Sequence, residues 1–420
     1  MSQQTPAVAE SRWMRRFFTM WTGQAFSLIG SALVQFALVW WLTIETGSAV
    51  VLAIAAVMGV APQVLLTPVA GALVDRWNRR RVMIAADGLT AAATMLLMLS
   101  FALGTVEVWQ IYLVLLVRSC FQGFHWPAMQ ASTSLMVPEE HLARIGGLNQ
   151  SIQGLSGIVA PPLGAVLIAA LPMTWVLSVD LITAALAITA LLAIRIPEVR
   201  RAEGRAKTSV LHDMAEALRY LRSWRGAFMV TGIFSMVNFL ITPAFTLLPL
   251  LTVEHFGGGA LEYATLESMA GVGMIAGGLT LGVWGGTKRK IVTCMSALAL
   301  CGVGTAIIGF LPPDGLVMAV GCCLVIGLTI SMVNGTIMAI MQKGVRADMQ
   351  GRVFALLGAV TGAMSPLGLL LAGPVSEAIG VQPWFIAGGL LMVVIGGASF
   401  FVPIIMGLED HVAEAVAIEQ

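Results

Sequence analysis

Arg118 is the residue of this chain that most needs a partner. It lies in the middle of a long apolar stretch, whereas the other 22 of the 23 Lys and Arg residues fall in six short polar segments. A central arginine costs at least ~2.5–3.5 kcal/mol on membrane-insertion scales, so it must face a counter-ion or a water-filled cavity. Two acids also lie inside apolar sequence, Asp180 and Asp87. Burial favours the neutral form of a carboxyl group and a nearby guanidinium favours the ionised form, so such a pair can bind and release a proton. Asp180 is the expected proton carrier or partner of Arg118, and Asp87 a structural residue near the inner end of its span. His125, two helical turns after Arg118, reads as a satisfied polar residue, with a proton relay as the alternative. Gln24, Gln122, Asn149, Gln153, Asn238 and Asn334 are cavity candidates, although each can equally hold helices together. As a set they suggest a mostly apolar cavity with a few hydrogen-bonding groups, suited to amphipathic small molecules.

Other chemistry is poorly served. There is no G-x-x-x-x-G-K-S/T loop for nucleotide hydrolysis, no H-E-x-x-H, no Cys/His metal cluster and no Ser/His/Asp constellation in a loop. No enzyme activity, metal or cofactor is expected. The five cysteines (Cys120, Cys294, Cys301, Cys322, Cys323) all lie in apolar stretches, where they read as buried thiols. A net charge of +1 gives no reason to expect a nucleic-acid partner.

The elements that position these residues must be membrane helices. The chain is 58% hydrophobic and 11% charged, with a mean hydropathy of +0.89, against roughly 25% charged in soluble domains. A spanning helix needs about 20 mainly apolar residues. Twelve candidates occur near 17–44, 48–74, 82–104, 108–131, 146–170, 174–196, 226–252, 263–284, 290–311, 315–340, 353–376 and 382–406. Basic breaks alternate with breaks free of Lys and Arg, near Glu45, Gly104, Pro172, Gly257, Pro312 and Gly380. Positive charge marks the cytoplasmic side, so both termini are expected inside. The basic N-terminus precedes a span too long for a signal-peptide core, so no cleavable signal is expected. The reading is an all-α membrane protein of the cytoplasmic (inner) membrane, in contact with lipid, with twelve transmembrane helices in two six-helix bundles. The bundles take residues 1–196 and 226–420. Between them lies a cytoplasmic linker, 197–225, with an amphipathic helix from Val210 to Trp224 laid on the inner membrane surface. Two repeated bundles around a midplane site are the layout of alternating-access transporters.

Local motifs sharpen this. Gly71 to Arg81 (Gly71, Ala72, Leu73, Val74, Asp75, Arg76, Trp77, Asn78, Arg79, Arg80, Arg81) resembles the G-x-L-A-D-r-x-G-r-r-r loop of the major facilitator superfamily. Val74 and Asn78 replace the usual Ala and Gly. Gly71 is expected to let the end of span two approach a neighbour closely. The resemblance implies that Asp75 contacts span eleven and that Gly71, Asp75, Arg76, Arg79, Arg80 and Arg81 form an inner gating loop. The second-half counterpart, Gly282 to Lys290, lacks the acid. Arg118 to Gly123 resembles the superfamily's R-x-x-q-G motif, which implies proton coupling. Gly157, Pro161, Pro162 and Gly164 resemble a relaxed antiporter motif, with the prolines bending span five. The stretches from Phe124 to Ala131, Leu135 to Leu142, Asn149 to Ser151 and Asp348 to Phe354 look like the macrolide-efflux branch of drug:proton antiporters. The resemblance implies proton-coupled export of hydrophobic or amphipathic compounds. The alternatives are a siderophore or metabolite exporter, an uncoupled facilitator, or a non-transporting membrane scaffold or sensor.

Overall fold

Runs of Leu, Val, Ile, Ala and Met that are long enough to cross hydrocarbon must satisfy their backbone internally, and the helix does so within one segment. The computed structural model describes residues 6–74, 77–196, 210–346 and 349–409. Among these the chain is helical with no strand. The long helices of the first half are α1 (Pro6–Thr46), α2 (Ala49–Val74), α3 (Arg79–Leu103), α4 (Val108–Met136), α5 (Glu139–Ala170) and α6 (Met173–Ala193). After the short α7 (Val210–Ser223) come α8 (Arg225–Glu254), α9 (Ala260–Trp284), α10 (Lys290–Phe310), α11 (Leu316–Gly344), α12 (Gln350–Ile379) and α13 (Gln382–Ser399). A single turn, α14 (Pro403–Met406), follows. Eleven of these are long and apolar enough to cross a membrane. The twelfth expected span is α4, whose apolar run is broken by Arg118, Gln122, His125 and Gln130.

The helix ends follow local chemistry. Gly104 closes α3 in the left-handed region at φ +67°, its N–H reaching back to Phe101 and Ser100 carbonyls. Asn78 begins that helix by accepting from the Arg81 N–H through Oδ1. The inner break expected between spans four and five is instead mostly helix. The two helices meet at Val137–Pro138, because Pro138 denies the chain an N–H there.

The chain forms two compact units, Met1–Trp41 with Met58–Ala206, and Leu42–Val57 with Lys207–Gln420. In the second unit, Glu377 Oε2 accepts from the Ser48 hydroxyl (3.1 Å) and the Val50 N–H (3.3 Å), tying the start of α2 to α12. The amphipathic helix α7 packs on α8 and α12. Ala217 and Leu221 are buried, Glu216 pairs with Arg352 at 2.7 Å, and the Tyr220 hydroxyl lies within reach of Gly344 O and Arg346 N. Protein, rather than a lipid surface, covers these apolar residues. Residues 197–209 of the linker lie outside the described residues.

Glycine sets the closeness of packing. A Cβ at Gly327 on α11 would run into the Ala270 backbone of α9, and one at Gly277 into Leu328. In the first unit a Cβ at Gly164 would meet the Phe36 ring at 2.7 Å, so this glycine brings α5 against α1. α5 is one continuous helix, with Pro161 and Pro162 inside it. Gly71 does not make the close approach expected of it: among the described residues nothing lies within 4 Å of a Cβ there, nor at Gly157. Replacing Gly327 by Leu is therefore expected to cost about 1–3 kcal/mol through overpacking, read as a lower melting temperature in detergent. Gly157→Ala should leave that temperature unchanged or slightly raised.

Candidate functional site

Helical spacing brings the polar residues of the first unit onto facing surfaces. On α4, Arg118, Gln122, His125 and Met129 recur at the three-to-four-residue interval that defines one face. On α3, Asp87 and Thr94 are two turns apart, and on α1 Trp21, Gln24, Leu28 and Ser31 follow the same rule. With Asn149, Ile152 and Gln153 of α5 and Asp180 and Ala184 of α6, these faces line a cavity of about 80 Å³. Such a space holds several waters. It is smaller than the ~300–1,000 Å³ taken by a drug-sized ligand, so it fits a polar head group.

At one end sits a closed network. Arg118 Nη1 lies 2.5 Å from Asp180 Oδ2, with side-chain exposures of 11% and 2%. The Thr94 hydroxyl donates to the same oxygen and the Ser31 hydroxyl to Oδ1, each at 2.8 Å. Thr94 Oγ1 in turn accepts from Arg118 Nη1, and Nη2 donates to the Ser31 carbonyl, both at 3.2 Å. The carboxylate thus accepts from three donors, one of them the Arg118 cation, the arrangement in which a buried charge is tolerated. α1, α3, α4 and α6 all contribute. The expected pairing of Arg118 with Asp180 is what the structure places there.

Asp87, expected as a structural residue, joins α3 to α1 and also faces the cavity. Gln24 Nε2 donates to Oδ2 at 3.1 Å, and His125 Nε2 lies 3.3 Å from Oδ1. That second approach is poorly aligned: His125 is buried and Nε2 makes no hydrogen bond. The expectation of a satisfied histidine is corrected accordingly. Asp87 therefore keeps accepting capacity that Asp180 has used up. Its signal in the sequence was its position two turns before Thr94, on the face that carries an Asp180 partner.

Four of the six cavity candidates meet here: Gln24, Gln122, Asn149 and Gln153. Asn149 Oδ1 accepts from the Trp21 indole at 2.9 Å. Asn238 and Asn334 belong to the second unit and are not among the lining residues. Asn238 donates back to Phe234 O of its own helix at 3.0 Å. In the basic loop, Arg80 donates through Nε and Nη2 to the Leu191 and Leu192 carbonyls (2.6 and 2.8 Å), and Arg79 to Ala131 O (3.1 Å). Arg80 thus satisfies orphan carbonyls in the last turn of α6, while Arg79 adds a bond to a carbonyl inside α4. Asp75 and Arg76 lie outside the described residues.

Comparison with known proteins bears on the whole chain. The Major Facilitator Superfamily profile matches residues 20–369. Macrolide efflux protein A of Streptococcus pyogenes is 34% identical over 92% of this chain and 95% of its own. Multidrug efflux pump Tap of Mycobacterium tuberculosis is 28% identical over 88% and 89%. Among solved structures, a POT family transporter in complex with 5-aminolevulinic acid aligns with a TM-score of 0.74 at 12% identity, covering 93% of this chain and 96% of its own. The nucleoside transporter NupG aligns at 0.68 and 16%, covering 92% and 97%. At such identities these last two speak for the fold alone.

Breaking a buried ion pair from one side leaves an uncompensated charge and costs roughly 3–5 kcal/mol. Arg118→Ala is expected to lower thermal stability in detergent by an amount of that order. Adding Asp180→Asn to it should recover most of the loss.

Proposed function

The chain belongs to the Major Facilitator Superfamily, and from that premise we propose that it is a secondary transporter of the cytoplasmic membrane, with both termini inside, that exports macrolide-like or related amphipathic compounds in exchange for protons. The observation that carries this reading is the small cavity of the first unit, mostly apolar with a few polar groups, which holds two carboxylates in unequal environments. The efflux proteins that resemble the chain along most of its length support the cargo class.

In this reading a compound reaches the cavity from the cytoplasm or inner leaflet. Its polar head lies among Gln24, Asp87, Gln122, Asn149 and Gln153, and its apolar body stays beyond them. Trp21, Phe121 and Trp126 supply aromatic surface at the rim of the same space. A substrate shifts a conformational equilibrium only by binding one state better than the other, and a proton obeys the same rule. Protonation of Asp180 would cancel its attraction for Arg118 and free α4 from α6. A proton arriving from outside would therefore bias the protein toward the state in which that network is open. Arg118 and Asp180 are the coupling pair. The loop of Gly71, Asp75, Arg76, Arg79, Arg80 and Arg81 serves as an inner latch, with Arg79 and Arg80 holding the start of α3 to α4 and α6. Gly157, Pro161, Pro162 and Gly164 shape α5 for the motion. Residues 197–225 tether the two halves.

Proteoliposomes with an imposed pH gradient test this, using a macrolide, a cationic dye and a siderophore as cargo. The expected result is gradient-driven movement of the macrolide or dye that Asp180→Asn abolishes. Movement indifferent to both the gradient and the substitution would point to an uncoupled facilitator. A siderophore moving in place of the others would redirect the cargo assignment. No movement of any compound by folded protein would favour a scaffold or sensor.

The spare accepting capacity of Asp87 makes a finer prediction. Among the described residues Asp87 has no Lys or Arg beside it, whereas Asp180 is paired with Arg118. Asp87→Asn should weaken transport of cationic cargo at least about tenfold, the effect of ~1.4 kcal/mol, and leave neutral cargo nearly unaffected. Competition assays between a dye cation and an uncharged analogue read this directly.

A further inference from the structure

The second unit carries an acid that the proposed cycle does not use. Glu267 lies two turns from the start of α9, between Leu266 and Ser268, and its side chain is partly buried. The buried Tyr263 hydroxyl, one turn earlier, donates to its Oε1 at 2.9 Å. Among the described residues no Lys or Arg pairs with it. α11, locked onto α9 at Gly327 and Gly277, brings the Cys323 thiol into electrostatic range, with Cys322 beside it. At the end of α8 lie Glu254, with Glu377 near it, and His255, which is held by Leu311 O and Gln382. Among the described residues, then, no Lys, Arg or His of α8 or α11 pairs with Glu267.

Asp180 makes the contrast. It too lies two turns from the start of its helix, but with an arginine and two hydroxyls around it. An ionised carboxylate at such depth is costly without a counter-charge, and one phenol does not replace a guanidinium. The phenol does something else. Its oxygen donates to the ionised carboxylate and, after rotation about the C–O bond, accepts from the protonated one. The pair thus stays hydrogen-bonded whether or not the proton is present.

We propose that Glu267 is a second proton-binding site, which takes a proton from water onto its carboxylate and returns it to water once in each transport cycle. The inference rests on the proton coupling proposed above for Arg118 and Asp180.

Infrared difference spectroscopy on the full-length protein in lipid, stepped through pH, tests it without requiring transport. Wild type should show the carbonyl band of a titrating carboxylic acid that vanishes in Glu267→Gln and survives in Asp180→Asn. Glu267→Asp should restore a titrating band. Tyr263→Phe should move the band without removing it, and it answers the question if the Gln variant fails to fold. A band unaltered in both Glu267→Gln and Tyr263→Phe would overturn the proposal. Proton release on macrolide addition, followed with a pH dye, separates the two readings. Unchanged release from Glu267→Gln would sink the Glu267 site while leaving coupled export standing. If wild type releases no proton although the band titrates, coupled export fails, and with it the once-per-cycle role of Glu267.

Discussion

The guanidinium of Arg118 can sit halfway along an apolar helix only if its charge is answered inside the protein. One carboxylate is not enough, because Asp180 must itself be desolvated and its remaining lone pairs satisfied. Ser31 and Thr94 provide that satisfaction, from α1 and α3. The requirement therefore fixes the register of α1, α3, α4 and α6 together. Sliding any of them by one residue would turn a donor away from the network and expose a buried charge. The same register delivers Gln24, Asp87, Gln122 and His125 to one cavity.

Three acids then sit in three environments. Asp180 is fully engaged, Asp87 has one well-formed donor and an unaligned histidine, and Glu267 has a single phenol. Their readiness to exchange a partner runs in the reverse order of that engagement. A carboxylate that accepts from two hydroxyls and a guanidinium yields to a proton only as that whole network opens. A carboxylate with one donor can respond to a proton or a substrate cation without such movement. A transporter needs both kinds: one tied to conformation, others tied to what has bound.

Much of this was legible in the sequence, and for identifiable reasons. The helices follow from apolar run length, and the pairing of Arg118 with Asp180 from the cost of isolated charge in an apolar stretch. That Asp87 also faces the cavity follows from helical phase rather than from its distance to the inner end: its two-turn spacing from Thr94 carries the information. Glu267 passed unnoticed because no basic residue flags it and it lies close to a helix start rich in polar residues. Gly71 was given a packing role that belongs instead to glycines such as Gly164 and Gly327. A glycine in a recognisable loop motif attracts a packing explanation, whereas close approach is a property of the neighbouring helix, which sequence does not show. The polar face of α7 was evident, but not that α8 and α12, rather than lipid, would cover its apolar residues.

Both units have apolar cores and close glycine contacts, but they differ in what joins the helices at their centres, and this bears on how the protein can work. In the second, α9 meets α11 and α10 meets α13 through glycines whose missing Cβ atoms let one helix lie against the backbone of the next, as at Gly327, Gly277, Gly302 and Gly389. Dispersion over such contacts is lost steeply with separation, so these helix pairs resist sliding. In the first unit the central contacts are hydrogen bonds and an ion pair among side chains. Side-chain networks can be remade by rotamer changes and by titration, without parting the backbones. A proton or a polar head group entering the first unit can therefore change which helices are bound to one another. The same ligand in the second unit would find stiff helix pairs, with the Glu267–Tyr263 bond as a small titratable element within them. On this physical ground we place the proposed cargo site with Arg118, in the unit whose central contacts can be remade.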